Sequence, residues 1–307
     1  MSIGYFPQIY PGESFYSIVA RLKRHIQFAS LQITYLSLFN ARSVEIGAEC
    51  PVRLGNFCKN TSAPFDAEYL AKEHTLIPYS VGYRAGGLWQ QLEESCAYRS
   101  GQDPKSHRLE RRKIYNSFSK FAKNSLHYCR DCWSEMSDRG DERYWIRDHQ
   151  VPSALRCLRH GTWLQDSLIS TRNIRKRLYL PTDVKEPSFV HQPNFNVGLD
   201  IIESLAKRGV ELLNRKATYT VRNNSGTELV KIYDKKGLLS ASGKVDASRI
   251  STETHPFISG LSNIWPGLDF EKGKKTAWVC LLHASDPAHD PLKHIVMREA
   301  LSRFPDR

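Results

Sequence analysis

The 307-residue chain has no long hydrophobic run. Stretches such as "LSLF" fall far short of the ~20 apolar residues that cross a bilayer. The N-terminus, "MSIGYFPQIYPGESF", lacks a basic segment followed by an apolar one and is not a secretory leader. The chain therefore reads as soluble and cytoplasmic. No internal repeat or low-complexity tract is visible. Cysteines are few and odd in number, seven in all, which is poor material for a disulfide framework and suits a reducing compartment. Cys50, Cys58, Cys96 and Cys280 are scattered and read as small core residues.

Nucleotide-binding and nuclease signatures are missing too. In "GLLSASGKV" five residues separate Gly237 from Gly243, one more than a P-loop allows, and Val245 replaces the required hydroxyl residue. "GLDFEKGKKT" fails likewise between Gly267 and Gly273, with Lys275 in the hydroxyl position. A nuclease needs carboxylates gathered on two metal ions. Asp138, Asp141, Glu142 and Asp148 are close in sequence but read as a solvated loop. The chain is expected not to be an enzyme, with a metal-dependent nuclease as the reading from another class.

What is present is a folding composition. Forty per cent of residues are apolar, with six Trp, fourteen Tyr and thirteen Phe, which excludes disorder along the whole chain. The length allows two or three domains. Formal net charge is +12, with a pI near 9.4. Such a surplus bears on partners, and double-stranded DNA is the expected one. No basic amphipathic helix or lipidation motif points to a membrane.

Helical patterning dominates. In "GESFYSIVARLKRHIQF" apolar residues recur at Phe15, Ile18, Val19, Leu22 and Ile26, one stripe of a helix, with Arg21, Lys23, Arg24 and His25 mostly off it. After a break at "FAS", Ser30 is placed to cap a second helix, "LQITYLSLF". Such a pair is compatible with helix-turn-helix. "DAEYLAKEHTLIPYS" predicts a short helix ended by Pro78, and "GGLWQQLEES" another. "LPTDVKEPSFVHQPNFN" reads as a linker. "VGLDIIESLAKRGVELLNRKA" is helical, and "TELVKIYDKKG" predicts a helix with Thr227 as N-cap and Gly237 just past its end. Asp246 would cap "ASRISTETHPFISGL", making a second helix-turn-helix-like unit. The last segment reads as two helical pieces divided at Asp286-Pro287.

Two short motifs carry the strongest chemical signal. Cys129 and Cys132 form C-x2-C, and twenty-four residues later Cys157 and His160 form C-x2-H. Two close pairs on tight knuckles, joined by a long spacer, converge on one tetrahedral ion, here zinc. Three thiolates and an imidazole leave no open position, so the site is structural. His127 and His149 are nearby substitutes for His160, but neither completes a symmetrical knuckle.

Basic runs supply candidate phosphate contacts. They are Lys105, Arg108, Arg111, Arg112 and Lys113, then Arg172, Arg175, Lys176 and Arg177, then Lys244 and Arg249 beside Lys235 and Lys236, and lastly Lys272, Lys274 and Lys275. Such contacts give affinity without sequence choice. Base readout needs a helix in the major groove, and 246–258 is the first candidate. Trp89, Trp133, Trp145, Trp163, Trp265 and Trp278 are read as core. Tyr5, Phe6, Tyr10 and Tyr16, outside the first stripe and held extended by Pro7 and Pro11, form a candidate docking edge.

"YPGESFYSIVARL", "EHTLIPYS", "CRDCW" and "RYWIRDHQVPSALRCLRHGTWL" together resemble the TniQ family of transposon targeting proteins, over about residues 7 to 165. The motifs are specific in combination: Glu13-Ser14, His74-Thr75 with Pro78-Tyr79, Tyr144-Trp145, His149-Gln150 with Pro152, and the four metal ligands. "LVKIYDKKGLLSASGKVDASRI" and "DPLKHIVMREAL" resemble the domain that follows in TnsD-type members, which select a fixed chromosomal site. Arg130 and Leu158 stand where the family often has proline, which alters knuckle stiffness and not ligation. Long members continue further, so a chain stopping at "LSRFPDR" reads as the first part of a longer protein.

The resemblance implies a target-site selector that recruits an AAA+ ATPase regulator (TnsC-like), with the docking edge as the contact. The same resemblance leaves open a TniQ adaptor that links a guide-RNA (CRISPR effector) complex to the transposition machinery. Bound to DNA, the protein would sit on a bacterial nucleoid. The expected architecture is mainly α: an N-terminal helix-turn-helix-like domain over 1–103, a zinc-finger domain over 104–180, and a C-terminal helical domain over 181–307.

Overall fold

The computed structural model describes residues 3–44, 46, 53–83, 121–171, 177–185, 197–215, 225–283 and 290–306. It is mainly helical. The first helix, α1 (Phe15–Ile26), starts where Ser14 accepts a hydrogen bond from the Ser17 amide, and it ends at Gln27 with φ 57°. Four residues later α2 (Leu31–Phe39) begins, its Ser30 cap accepting from the Ile33 amide at 3.1 Å. The expected tight pair is formed.

The next helices pack in chain order: α3 (Leu54–Thr61), α4 (Ala67–His74) and α5 (Ile77–Val81). Pro78 does not end a helix. The α4 helix stops at His74 because Thr75 turns extended. The Thr75 hydroxyl donates to the Ala71 carbonyl and accepts from the Ile77 amide. Pro78 then sits in the first turn of α5, where a missing N–H breaks no helical bond.

Two short strands, β1 (Ser125–Tyr128) and β2 (Gln165–Ser170), pair antiparallel with an irregularity between Ser125 and His127. The helix α6 (Arg130–Asp138) lies between them in sequence. Beyond come α7 (Leu199–Asn214), α8 (Ser225–Lys235), α9 (Ala247–Leu261), α10 (Trp278–Leu281) and α11 (Pro291–Ser302). Thr227 lies inside α8 and so is not its N-cap. Gly237, at φ 62°, follows α8 as expected, and Asp246 caps α9 by accepting from the Arg249 amide. Residues 236–246 turn as a hairpin closed by a bridge between Leu239 and Val245. That connection is longer than the three or four residues of a helix-turn-helix. The "GGLWQQLEES" helix and the Asp286-Pro287 break fall outside the described residues.

The helix α7 packs on α5 and α11, and α9 packs on α10 and α11. Gly209 lets α7 pass close to the segment before the second ligand pair, since a Cβ there would collide with Ser153 and Val151. Apolar residues from 15 to 301 form one contiguous core. Among the described residues no helix is long and apolar enough to cross a membrane.

One buried ion pair organises the N-terminal end. Arg21, 1% exposed, donates to Glu13, 0% exposed, at 2.9 Å. It also donates to the Gln8 carbonyl at 2.9 Å and to Glu142 at 2.7 Å. Its guanidinium lies 4.5 Å from the centre of the Tyr10 ring, which stacks on Tyr144. Arg21 lies off the apolar stripe as expected and is nonetheless buried, because residues 142–147 cover that side of α1. Backbone bonds complete the clasp, from the Ser14 amide to the Trp145 carbonyl and from the Arg147 amide to the Gly12 carbonyl.

Removing one member of a buried pair leaves the other charge uncompensated, at a cost of about 3–5 kcal/mol. Arg21→Met should destabilise the protein by about that much in urea unfolding, and adding Glu13→Gln should recover part of the loss.

Candidate metal centre

The two ligand pairs arrive from different local structures. Cys129 directly follows β1 and is the N-cap residue of α6, which puts Cys132 in the first turn of that helix. Cys157 opens a tight loop in which the Gly161 amide donates to the Cys157 carbonyl and the Cys157 amide donates to the Thr162 carbonyl, both at 2.8 Å. Gly161, at φ 64°, supplies the left-handed residue that this loop needs. His160 sits on the loop and faces the three thiols.

Ligand atoms of Cys129, Cys132, Cys157 and His160 all lie within 4.8 Å of one another. Sγ of Cys132 is 3.7 Å from Sγ of Cys157. Nδ1 of His160 is 3.5 Å from Sγ of Cys129, 3.3 Å from that of Cys132 and 3.6 Å from that of Cys157. A tetrahedral ion with metal–sulfur bonds of ~2.3 Å and a metal–nitrogen bond of ~2.0 Å has edges of ~3.8 Å between sulfurs and ~3.6 Å from sulfur to nitrogen. The four residues therefore fit one metal ion. All three cysteines are buried, as a closed site requires.

The surroundings favour ligation. His160 turns its other nitrogen, Nε2, to Glu135 Oε1 at 3.0 Å. A carboxylate there fixes the ring orientation and leaves Nδ1 for the metal. Cys129 is held far below the usual thiol range by hydrogen bonds from Cys132 and Cys157, while Cys132 is pushed up. A bound cation would supply the charge that stabilises all three thiolates. Thr162 Oγ1 lies 3.3 Å from Sγ of Cys129 and donates to Asp131.

Neither substitute histidine is part of the group. His149 Nε2 stands 3.9 Å from Sγ of Cys132, and burial pushes its pKa down to about 3. His127 turns Nδ1 to the Ser125 carbonyl, and burial brings it down to about 4. Glu135 and Lys123 were not singled out from the sequence, and Gln150 entered only within the family motif His149-Gln150. Gln150 takes the place of a third strand at β1, accepting from the His127 amide and donating to its carbonyl. Lys123 Nζ donates to the carbonyls of His149 and Ala154, and burial lowers its pKa to about 7. Of the two that were missed, Glu135 left a signal, three residues after Cys132 on the same helix.

The other candidate residues are spread more widely. Lys105, Arg108, Arg111, Arg112 and Lys113 lie outside the described residues, as do Arg172, Arg175 and Lys176. Arg177 is exposed and pairs with Asp183 at 3.3 Å. Lys244 is exposed on the hairpin, whereas Arg249 is tied to the Gly237 carbonyl and to Glu253. Tyr5 is 46% exposed. Phe6 packs on Phe57 and Tyr10 on Tyr144. Tyr16 is 0% exposed, and its hydroxyl accepts from the Tyr179 amide. It is therefore core and not part of a docking edge. Trp133, Trp145, Trp265 and Trp278 are buried, as expected. The carboxylates Asp141, Glu142 and Asp148 turn to Arg139, Arg21 and Arg147 respectively rather than to one another.

The TniQ family model matches residues 4–164, just over half of the chain. No curated protein matches it.

Metal analysis of the purified protein should find one ion per chain. Cys157→Ser should abolish it and destabilise the fold by more than about 4 kcal/mol, the range reserved for lost metal sites and comparable lesions. Glu135→Gln should keep the fold but weaken metal affinity about 10–100-fold in chelator competition.

Proposed function

Because the chain belongs to the TniQ family and is thus a transposition-associated protein, we propose that it selects the target site by binding double-stranded DNA and recruits an AAA+ ATPase regulator. The observation that carries this reading is the pairing of family membership with a net charge of +12. The proposal divides the work among three regions. Residues 1–103 hold the regulator contact, with Tyr5 as its exposed aromatic after the loss of Tyr16. Residues 104–180 hold the metal. Residues 181–307 carry α9, whose 246–258 stretch is the proposed reading helix, with Lys244 at its approach. The runs at 105–113 and 172–177 supply phosphate contacts in this reading.

The ion is proposed to be zinc. Three thiolates and one imidazole in a closed tetrahedron suit zinc, whereas magnesium and calcium take oxygen ligands in larger shells. Its role is structural, with binding energy serving as folding energy. No catalytic role is proposed for this chain.

Footprinting on a library of chromosomal fragments tests the reading. A discrete protected site is expected. Uniform binding that becomes site-specific only with a guide-RNA complex would favour the adaptor reading, and cleavage that depends on a divalent cation would favour a nuclease. In a salt titration, neutralising Lys105, Arg108 and Arg112 together should flatten the log–log slope by about 0.9 per lost phosphate contact. Tyr5→Ala should weaken capture of the ATPase and leave DNA affinity unchanged.

A further inference from the structure

We propose that Arg24 and Arg177 together form a phosphate-binding pair for the DNA backbone, which brings α1 into the nucleic-acid interface. The inference rests on the DNA-binding reading above and adds a residue, Arg24, that the basic runs do not contain.

Arg24 comes from the last turn of α1, and Arg177 from the segment that follows the metal-binding region. Both reach one oxygen of Asp183, Arg24 Nη2 at 3.1 Å and Arg177 Nη2 at 3.3 Å. Two guanidinium groups thus share a single carboxylate, and one positive charge is left over. Lys23 stands next to Arg24 in sequence. The two arginine side chains are 56% and 59% exposed. Among the described residues, no other hydrogen-bond acceptor meets either guanidinium.

The segment does not need the arginines to stay in place. The Tyr179 amide donates to the Tyr16 hydroxyl, and the Tyr179 carbonyl accepts from Trp145 Nε1 at 2.9 Å. Asp183 itself accepts from the Leu180 amide at 2.8 Å. These bonds are half-buried and hold the segment from within, whereas the arginine ends of the two ion pairs stand in solvent, although Asp183 itself is only 14% exposed. Arg177 lies over the face of Tyr179, 5.0 Å from the ring centre. The ring supports one face of the guanidinium and leaves exposed N–H groups for an acceptor. The dipole of α1 accounts for cations in its last turn, but not for Arg177, which arrives from another segment. A phosphodiester oxygen is an acceptor that matches two adjacent guanidinium forks with surplus charge.

Asp183 competes with the phosphate for both guanidinium groups, and this gives the test its sign. The full chain is titrated with a duplex oligonucleotide by fluorescence anisotropy over a range of salt. Arg24→Gln with Arg177→Gln should flatten the log–log slope by about 1.8, two contacts at about 0.9 each, while the melting temperature is retained. Arg24→Lys with Arg177→Lys should retain most of the slope. Asp183→Asn keeps an acceptor for the Leu180 amide, removes the competing charge, and should tighten binding. A control losing two charges elsewhere, Lys59→Gln with Lys207→Gln, should keep the slope.

Three results would overturn the inference while DNA binding stands: an unchanged slope in the double glutamine variant, an equal fall in the control, or weaker binding by folded Asp183→Asn. The last would make the arginines props for the segment. If the variants lose capture of the ATPase and not of DNA, the pair belongs to a protein contact and the inference fails. No duplex binding by the unmodified protein would remove the functional reading itself, and this inference with it.

Discussion

Bringing Cys129 and Cys132 to the same point as Cys157 and His160 is the constraint on which the middle of this protein depends. The spacer between the pairs is twenty-four residues long and contains one regular helix, most of α6. A two-stranded sheet is marginal in water by itself, and β1 with β2 is only that. Four ligand atoms placed to converge on one ion would close the segment into a loop, with β1 and the Cys157 knuckle held together. The strands, the Gln150 bonds to β1 and the Lys123 bonds to the His149 and Ala154 carbonyls then reinforce an arrangement that the ligands define.

From there the order spreads to the N-terminal helices. The Trp133 ring, one residue after a ligand, stacks on Tyr128 at 3.8 Å and meets Trp145 edge-on at 5.4 Å. Trp145 and Arg147 clasp Ser14 and Gly12 through backbone bonds, and the Trp145 amide donates to the Ser17 hydroxyl. Glu142 reaches Arg21, and through His25 the contact extends to Tyr5. The motifs that mark the family at both ends of this region are therefore two halves of one junction. His74 joins it by donating from Nδ1 to the Glu13 carbonyl. Burial alone would make the Arg21–Glu13 pair costly, and the extra bonds from Arg21 to Gln8 and Glu142 offset that desolvation.

Much of this was legible in sequence where the determining physics is local. Ser14, Ser30 and Asp246 precede apolar periodicity, and helices start there. The four ligands were legible because metal spacing is a local pattern. What was missed depends on distant chain. Tyr16 and Arg21 sit off the apolar stripe of α1, which a stripe reading assigns to solvent. Residues from Phe15 to Leu22 are all buried, because segments around 145 and 179 cover the remaining face. The strands were missed because β1 is four residues long and its partner is separated by the whole ligand spacer. Pro78 was misplaced for a different reason. Proline breaks a helix or begins one, and Thr75, by ending α4 with its own hydroxyl, decides which.

The central claim is that metal binding organises both its own segment and the junction with α1. Hydrogen exchange followed by mass spectrometry, with and without a chelator, tests it most directly. The account predicts that removing the metal accelerates exchange at 129–162 and also at the amides of Ser14 and Arg147, which bond across the junction, and along α1. Faster exchange confined to the ligand segment, with α1 as protected as before, would contradict it.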